Sequence, residues 1–180
     1  MRTADDVIRF WFVQHGQDDW FGGRPEFDAA LTAEFAETHR RVALGEAWRW
    51  RATPDGRLAE IIVLDQFSRQ LHRDSAKAFA QDPMATTLAQ EAVAAGTDQA
   101  IPMDRRMFLL MPFLHSESLV IQDEAARHFA QFGEEVMTYK AAHRHCIARF
   151  GRFPFRNAAL GRQSTPEEVA YMKEHRDRGF

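Results

Sequence analysis

The chain has one cysteine, Cys146, so neither an intramolecular disulfide nor a cysteine-rich zinc site is open to it, and a reducing compartment suits it. No uncharged apolar run approaches the length of a membrane span, and Asp5 and Asp6 stand where a secretory leader would carry basic residues. A cytoplasmic protein, neither inserted nor exported, is expected. Positive charge is short as well. With 23 Lys and Arg against 26 Asp and Glu, the formal net charge is -3, which leaves no broad basic field for a polyanion, and no nucleic-acid partner is expected. Four common signatures are missing: the GxxxxGK[ST] phosphate loop, the GxGxxG turn, the GxSxG elbow and the HExxH helix. The sequence points to no metal site and no cofactor. It also has no low-complexity stretch or linker, and a boundary placed anywhere would cut a periodic pattern.

What is present is a globular composition, 45% hydrophobic and 27% charged over 180 residues, enough for one core in a single all-helical domain spanning residues 1–180. Apolar residues recur at helical spacing and strict alternation is scarce, which predicts an all-α fold of seven or eight helices. Thr3 is a good N-cap for the first, which ends near Gly16. Pro25 opens a second whose stripe is Phe27, Leu31, Phe35 and Val42, ending at Gly45. Pro54-Asp55-Gly56 reads as a turn, with a helix from about Leu58 to Leu71. Asp82-Pro83 caps the next, Pro102 opens another that Pro112 should kink or end, and Ser116 caps one that stops at Gly133. Val136, Tyr139, His143, Ile147 and Phe150 mark a further face up to Gly151, and Thr165-Pro166-Glu167-Glu168 carries the capping box of a last helix. Short connections favour antiparallel hairpins, with a bundle as the other arrangement, and no tetratricopeptide-type repeat is evident.

Three constellations carry polar chemistry. In the first, Asp65 follows Ile61 and Ile62 by one turn, so its carboxylate shares the core side. Arg69 follows in the favourable acid-before-base order, either as a buried ion pair fixing helix packing or as part of a site. In the second, His115 precedes the expected helix start at Ser116, where backbone amides depress an imidazole pKa, and Glu117 complements the helix dipole. Gln122 and Asp123 lie a little downstream. The third is the densest: four arginines, Arg149, Arg152, Arg156 and Arg162, sit with Asn157 around glycines before a helix start. Forked donors and free amides there can hold a phosphate or carboxylate, though the same arginines can also cap helices and pair with acids. His143 and His145 are about 200° apart on a helix, so His143 points inward, His145 to solvent, and they share no metal. Cys146, on the His143 face, reads as a small core residue.

Trp11-Phe12, Trp20-Phe21, Leu64-Asp65-Gln66-Phe67 with Arg69, His115-Ser116-Glu117, Gln122-Asp123, Phe150-Gly151-Arg152-Phe153-Pro154, Arg156-Asn157, Leu160-Gly161-Arg162 and Ser164-Thr165 together resemble the bacterial family known as domain of unknown function 924, over almost the whole chain. The resemblance implies an all-helical fold similar to the tetratricopeptide-like superfamily, a right-handed stack of helical hairpins, and no established activity. The chain departs from that family's pattern at Ser68, where the family has Pro, and at Phe155, where it has His.

The expected function is binding of a small anionic molecule, with or without catalysis, in a pocket lined by His, Asp and Arg. Arg69, Arg152, Arg156, Asn157 and Arg162 would hold the anion, His115 or His143 would act as acid or base, and Asp65 or Glu117 would orient the imidazole. The three motifs are expected to converge on one cavity, since each carries groups that are costly to bury alone. The alternative is a tetratricopeptide-like module whose arginines capture the carboxylate of a partner peptide, and a third reading is a purely structural ion network.

Overall fold

Thr3 is extended (φ -88°, ψ 168°) and its hydroxyl accepts from the Asp6 amide, while the Asp6 carboxylate accepts from the Thr3 amide. This reciprocal cap starts α1 (Ala4–Arg9), which runs on through a π-helical turn (Phe10–Gln14) that buries Phe10 and Trp11. The computed structural model describes residues 1–175, in two compact units. The first comprises Met1–Arg73 with Lys77–Leu109, and the second Asp74–Ala76 with the described residues from Leu110 onward.

In the first unit, α2 (Gln17–Phe21) stands where the sequence suggested only an acidic turn. Pro25 is the first residue of α3 (Pro25–Ala43), as its fixed φ favours, and the expected stripe of Phe27, Leu31, Phe35 and Val42 is buried. Phe35 packs edge-on to Phe67 at 5.2 Å, and Trp11 stacks on Trp20 at 5.4 Å. These rings form the aromatic part of the core.

After a 3-10 turn (Trp48–Ala52), α4 (Pro54–Ile62) begins four residues earlier than the reading of Pro54-Asp55-Gly56 as a turn had it. Thr53 is the N-cap, its hydroxyl accepting from the Gly56 amide at 3.1 Å, and Pro54 is simply the first helical residue. Gly56 is buried against the preceding turn, where a Cβ would lie 1.9 Å from the Trp50 carbonyl oxygen. Backbone, not a flexible side chain, is in the way. Gly56→Ala is therefore expected to destabilise the protein by about 2 kcal/mol, the cost of overpacking, despite alanine's better helix propensity. Urea denaturation checks this, and a stabilised variant would refute the close approach.

α4 continues without a break through a π turn (Val63–Phe67) into α5 (Ser68–Leu71). Next come α6 (Asp82–Ala94), a 3-10 turn (Thr97–Ala100) and α7 (Met103–His115). Pro112 does not end α7, which runs on to His115. The missing proline donor is offset by packing, since Met111, Phe113 and Leu114 around it are buried. Residues of α7 from Leu110 onward belong to the second unit.

There α8 (Leu119–Phe129) packs on α9 (Glu134–Phe150), which closes at Gly151 in the left-handed region (φ 69°). A 3-10 turn (Pro154–Arg156) follows, then α10 (Pro166–Glu174), opened by the expected Thr165 and Glu168 capping box. Cys146, Ile147, Phe153 and Tyr171 form a buried cluster against which Phe150 and Phe155 pack. With α4 and α5 counted as one run, the described residues hold nine helices and no strand, one helix more than the upper expectation because of α2. Among the described residues no helix is long and apolar enough to cross a membrane.

Candidate functional site

In the first unit, the π turn places Asp65 wholly inside, on the side its spacing from Ile61 and Ile62 predicts. Arg69 reaches the Asp65 carboxylate at 3.3 Å and donates to the Asp65 carbonyl at 2.5 Å. The same guanidinium bridges both oxygens of Asp82 at 3.0 and 3.1 Å, and Gln66 donates to Asp65 at 2.6 Å. Asp82 had been expected only as a helix cap. Gln81 occupies the cap position without a side-chain bond, and the Asp82 carboxylate is committed to Arg69. Carboxylates from two helices, Asp65 before α5 and Asp82 at the start of α6, therefore hold one largely buried cation between them.

Ser68 adds a feature outside the expected set. Its hydroxyl lies 2.5 Å from the Leu64 carbonyl and 2.7 Å from Nε2 of His39. A carbonyl can only accept, so the serine proton goes there and His39 donates to the hydroxyl from Nε2. Burial, with the charge of His72 adding to it, pushes the His39 pKa down to about 4.

The second unit gathers His115, Glu117, His143, Arg152, Arg156, Asn157 and Arg162. Glu117 accepts the Phe153 amide at 2.7 Å and both forks of Arg162 at 2.8 and 2.9 Å, and Arg162 also donates to the Phe153 carbonyl. Burial alone would raise the Glu117 pKa, but the Arg162 and Phe153 bonds and the charges of Arg162 and Arg156 outweigh it and hold the carboxyl below its usual range. Arg152 grips Glu168 at 2.7 and 2.9 Å. Those bonds, with the Thr165 amide and Asn157, bring the Glu168 pKa down to about 2 against a smaller opposing effect of burial. Arg149 pairs with Glu167 at 2.7 Å. Two arginines of the loop, Arg152 and Arg162, and Arg149 in the last turn of α9 thus hold carboxylates of the chain itself, at separations of 16, 45 and 18 residues.

Arg156 sits on the 3-10 turn with only 4% of its surface exposed, its guanidinium 4.6 Å from the centre of the Phe153 ring. His143, in α9, is buried with its Nδ1 3.0 Å from the Tyr139 carbonyl, which places the proton on Nδ1 and the lone pair on Nε2. Burial pushes its pKa down to about 3; the Tyr139 bond opposes this, and the charges of His115 and Arg156 reinforce it. At neutral pH His143 is an uncharged base beside a buried cation. His145 is exposed, as the helical spacing requires, and Cys146 is a core thiol whose pKa burial raises to about 11.

His115 is half-buried and is the last residue of α7, not the residue ahead of a helix start. The next helix begins at Leu119 with Ser118 as N-cap, and the Ser116 hydroxyl instead accepts the Ser118 amide at 3.2 Å. The expected effect of helix-terminal amides on His115 is accordingly replaced by another device. Gln122, fully buried in the first turn of α8, donates to the carbonyls of Leu114 and Ser116 at 2.7 and 2.9 Å, on either side of His115. These acceptors close the end of α7. The sequence flagged Gln122 only by proximity, and Glu168 only as a capping residue. Among the described residues no group of three His, Cys, Asp or Glu is placed to hold a metal ion.

Residues 7–176 match the family described as "Bacterial protein of unknown function (DUF924)". The fold is similar to that of a solved protein of unknown function, ATU0120 from Agrobacterium tumefaciens, with a TM-score of 0.90 and 37% identity over 95% of this chain and 97% of that one. No curated protein matches the chain.

Proposed function

Because the chain belongs to the bacterial family of unknown function DUF924, we propose its role from the chemistry of the second unit: it binds a small anionic molecule at Arg156, His143 and His115. The observation that supports this is a buried guanidinium beside an imidazole that burial keeps neutral. Arg152 and Arg162 are held by Glu168 and Glu117, Arg156 lies over Phe153 beside them, and the forked donors of a guanidinium suit a carboxylate or phosphate. Glu117, Arg162, Arg152, Asn157 and Glu168 serve as the frame that holds the loop, and the Nε2 lone pair of His143 is the group able to accept a proton from the ligand. In this reading Asp65 and Arg69 form a separate ion network of the first unit.

A thermal-shift titration with inorganic phosphate, acetate and citrate tests the proposal. An anion at a hundred times its dissociation constant adds about 2.7 kcal/mol, which raises the melting temperature of a chain of this size by several degrees. Arg156→Gln is expected to abolish the shift, whereas Arg149→Gln, at the exposed Glu167 pair, retains it. No shift with any anion, or an unchanged shift in Arg156→Gln, overturns the reading.

A further inference from the structure

Lysine is scarce in this chain: Lys77, Lys140 and Lys173 are the only ones, and arginine supplies the rest of the positive charge. Lys77 and Lys173 are exposed, but Lys140 keeps only 3% of its surface. It stands with His143, Cys146 and Ile147 on the buried side of α9, so the helix has a lysine where the spacing calls for a core residue. A lysine that only lays its stem on apolar surface leaves its head in water, and this one has almost no surface left in which to do so.

The usual compensation for a buried ammonium is also missing. α8 packs on α9, and Asp123 of α8 is the carboxylate within electrostatic reach of Lys140, but Asp123 accepts Nε of Arg144 at 2.5 Å. The Lys140 ammonium has no hydrogen bond or ion pair among the described residues. Burial pushes its pKa below the ordinary lysine range; Arg144, one turn further along α9, adds to this, and Asp123 opposes both. Nζ is nonetheless not among the buried polar atoms sealed away without a partner, so the remnant of surface that Lys140 keeps includes the amine. An arginine here would stay charged whatever its surroundings, whereas a lysine can give up its proton. A desolvated amine beside a second cation is the arrangement that makes a lysine nucleophilic.

Arg144 supplies more than charge. It donates to Asp123 through Nε alone, so its two terminal nitrogens have no hydrogen bond among the described residues, and 43% of its side chain is exposed. Such a fork suits a carboxylate.

We infer that Lys140 is a reactive amine that binds small oxo acids covalently, forming an imine with the carbonyl while Arg144 takes the carboxylate. The nitrogen lone pair makes the new bond to the carbonyl carbon, the carbon-oxygen bond breaks, and the oxygen leaves as water with both amine hydrogens. Nothing is oxidised or reduced. This group is separate from the anion site proposed above, because the charges acting on His143 are those of His115 and Arg156, whereas those acting on Lys140 are Arg144 and Asp123.

Glyoxylate with cyanoborohydride at pH 7 tests it, since the hydride traps any imine as a stable secondary amine and peptide mapping by mass spectrometry reads each lysine separately. In the folded protein Lys140 is expected to be labelled at least about tenfold faster than Lys77 or Lys173, and in urea the three should react alike. Glycolaldehyde, an aldehyde without the acid group, should show a smaller preference for Lys140. Arg144→Gln should reduce the glyoxylate preference and leave the labelling of Lys77 and Lys173 unchanged. Equal labelling of the three lysines in the folded protein overturns the proposal, and so does an unlabelled Lys140, which would show that the amine is sealed. If glycolaldehyde matches glyoxylate at Lys140, the role given to Arg144 is overturned.

Discussion

Arg69→Met is expected to lower the free energy of unfolding by about 4 kcal/mol, because it removes the guanidinium that both faces Asp65 and bridges Asp82. Asp65 has no exposed surface, and Asp82 keeps only 12% of its side chain in solvent, so water cannot replace the lost cation at either. Asp65→Asn should cost less, about 3 kcal/mol, since Arg69 still holds Asp82. The double variant is expected to recover part of the Arg69→Met loss, as a carboxylate left unpaired in one background is absent in the other. Urea denaturation of the three variants measures all of this. An Arg69→Met loss below about 1 kcal/mol would mean that the group is screened like a surface pair, which typically contributes 0 to 1 kcal/mol.

The Asp65 and Arg69 pair was legible because both residues lie on one helix, where a spacing of four fixes which side chains meet. The inward His143 and outward His145 were legible for the same reason. Helix starts were read correctly where the cap chemistry is unambiguous, at Thr3, Pro25 and Thr165. They were misread where one motif serves two ends: Pro54-Asp55-Gly56 is turn chemistry in isolation, and only the approach of Gly56 to the Trp50 carbonyl shows that the helix has already begun. At Pro112 a local rule yielded to burial of the residues around it. Ser116 and Ser118 are equally good caps on paper, and the choice of Ser118 moved His115 from a helix entrance to a helix exit.

Partners distant in sequence account for most of what stayed hidden. The loop arginines were visible as cations in a glycine-containing segment, but nothing in the spacing shows that Arg162 takes Glu117, 45 residues away, or that Arg152 takes Glu168. Ser68 and Phe155, the two positions that the sequence resemblance singled out, also acquire meaning only in three dimensions. The Ser68 hydroxyl carries the bond from His39, which a proline could not accept, and Phe155 packs 6.4 Å from Tyr171 at the edge of the buried cluster.

Lowering the pH from 7 to 5 is expected to remove about 4 kcal/mol of stability, chiefly through His39 and His143. Both imidazoles are buried neutral, with pKa values near 4 and 3 against an ordinary 6.5 in the unfolded chain. Between the two values the unfolded state binds more protons than the folded one, so stability rises with pH through this window. The contribution is complete above about 6.5. It is lost as pH falls, at roughly 1.4 kcal/mol per unit for each histidine, until the folded values are reached. The groups facing His143 do not reverse this, because the charges of His115 and Arg156 oppose its protonation, and His72 does the same for His39. Below about 4.5 the depressed carboxyls of Glu117 and Glu168 act in the same direction, since the unfolded chain protonates them first. The opposite sign applies above pH 9, where the Cys146 thiol, raised to about 11, ionises first in the unfolded chain. A stability plateau between about pH 7 and 9 follows, with a steep acid side. Urea midpoints taken at half-unit pH steps check the profile, and His143→Gln and His39→Gln should each flatten the slope between pH 6.5 and 5 by about half. A flat profile from pH 7 to 5 in the wild-type protein would show that both rings reach solvent, and would remove the neutral base from the proposed site.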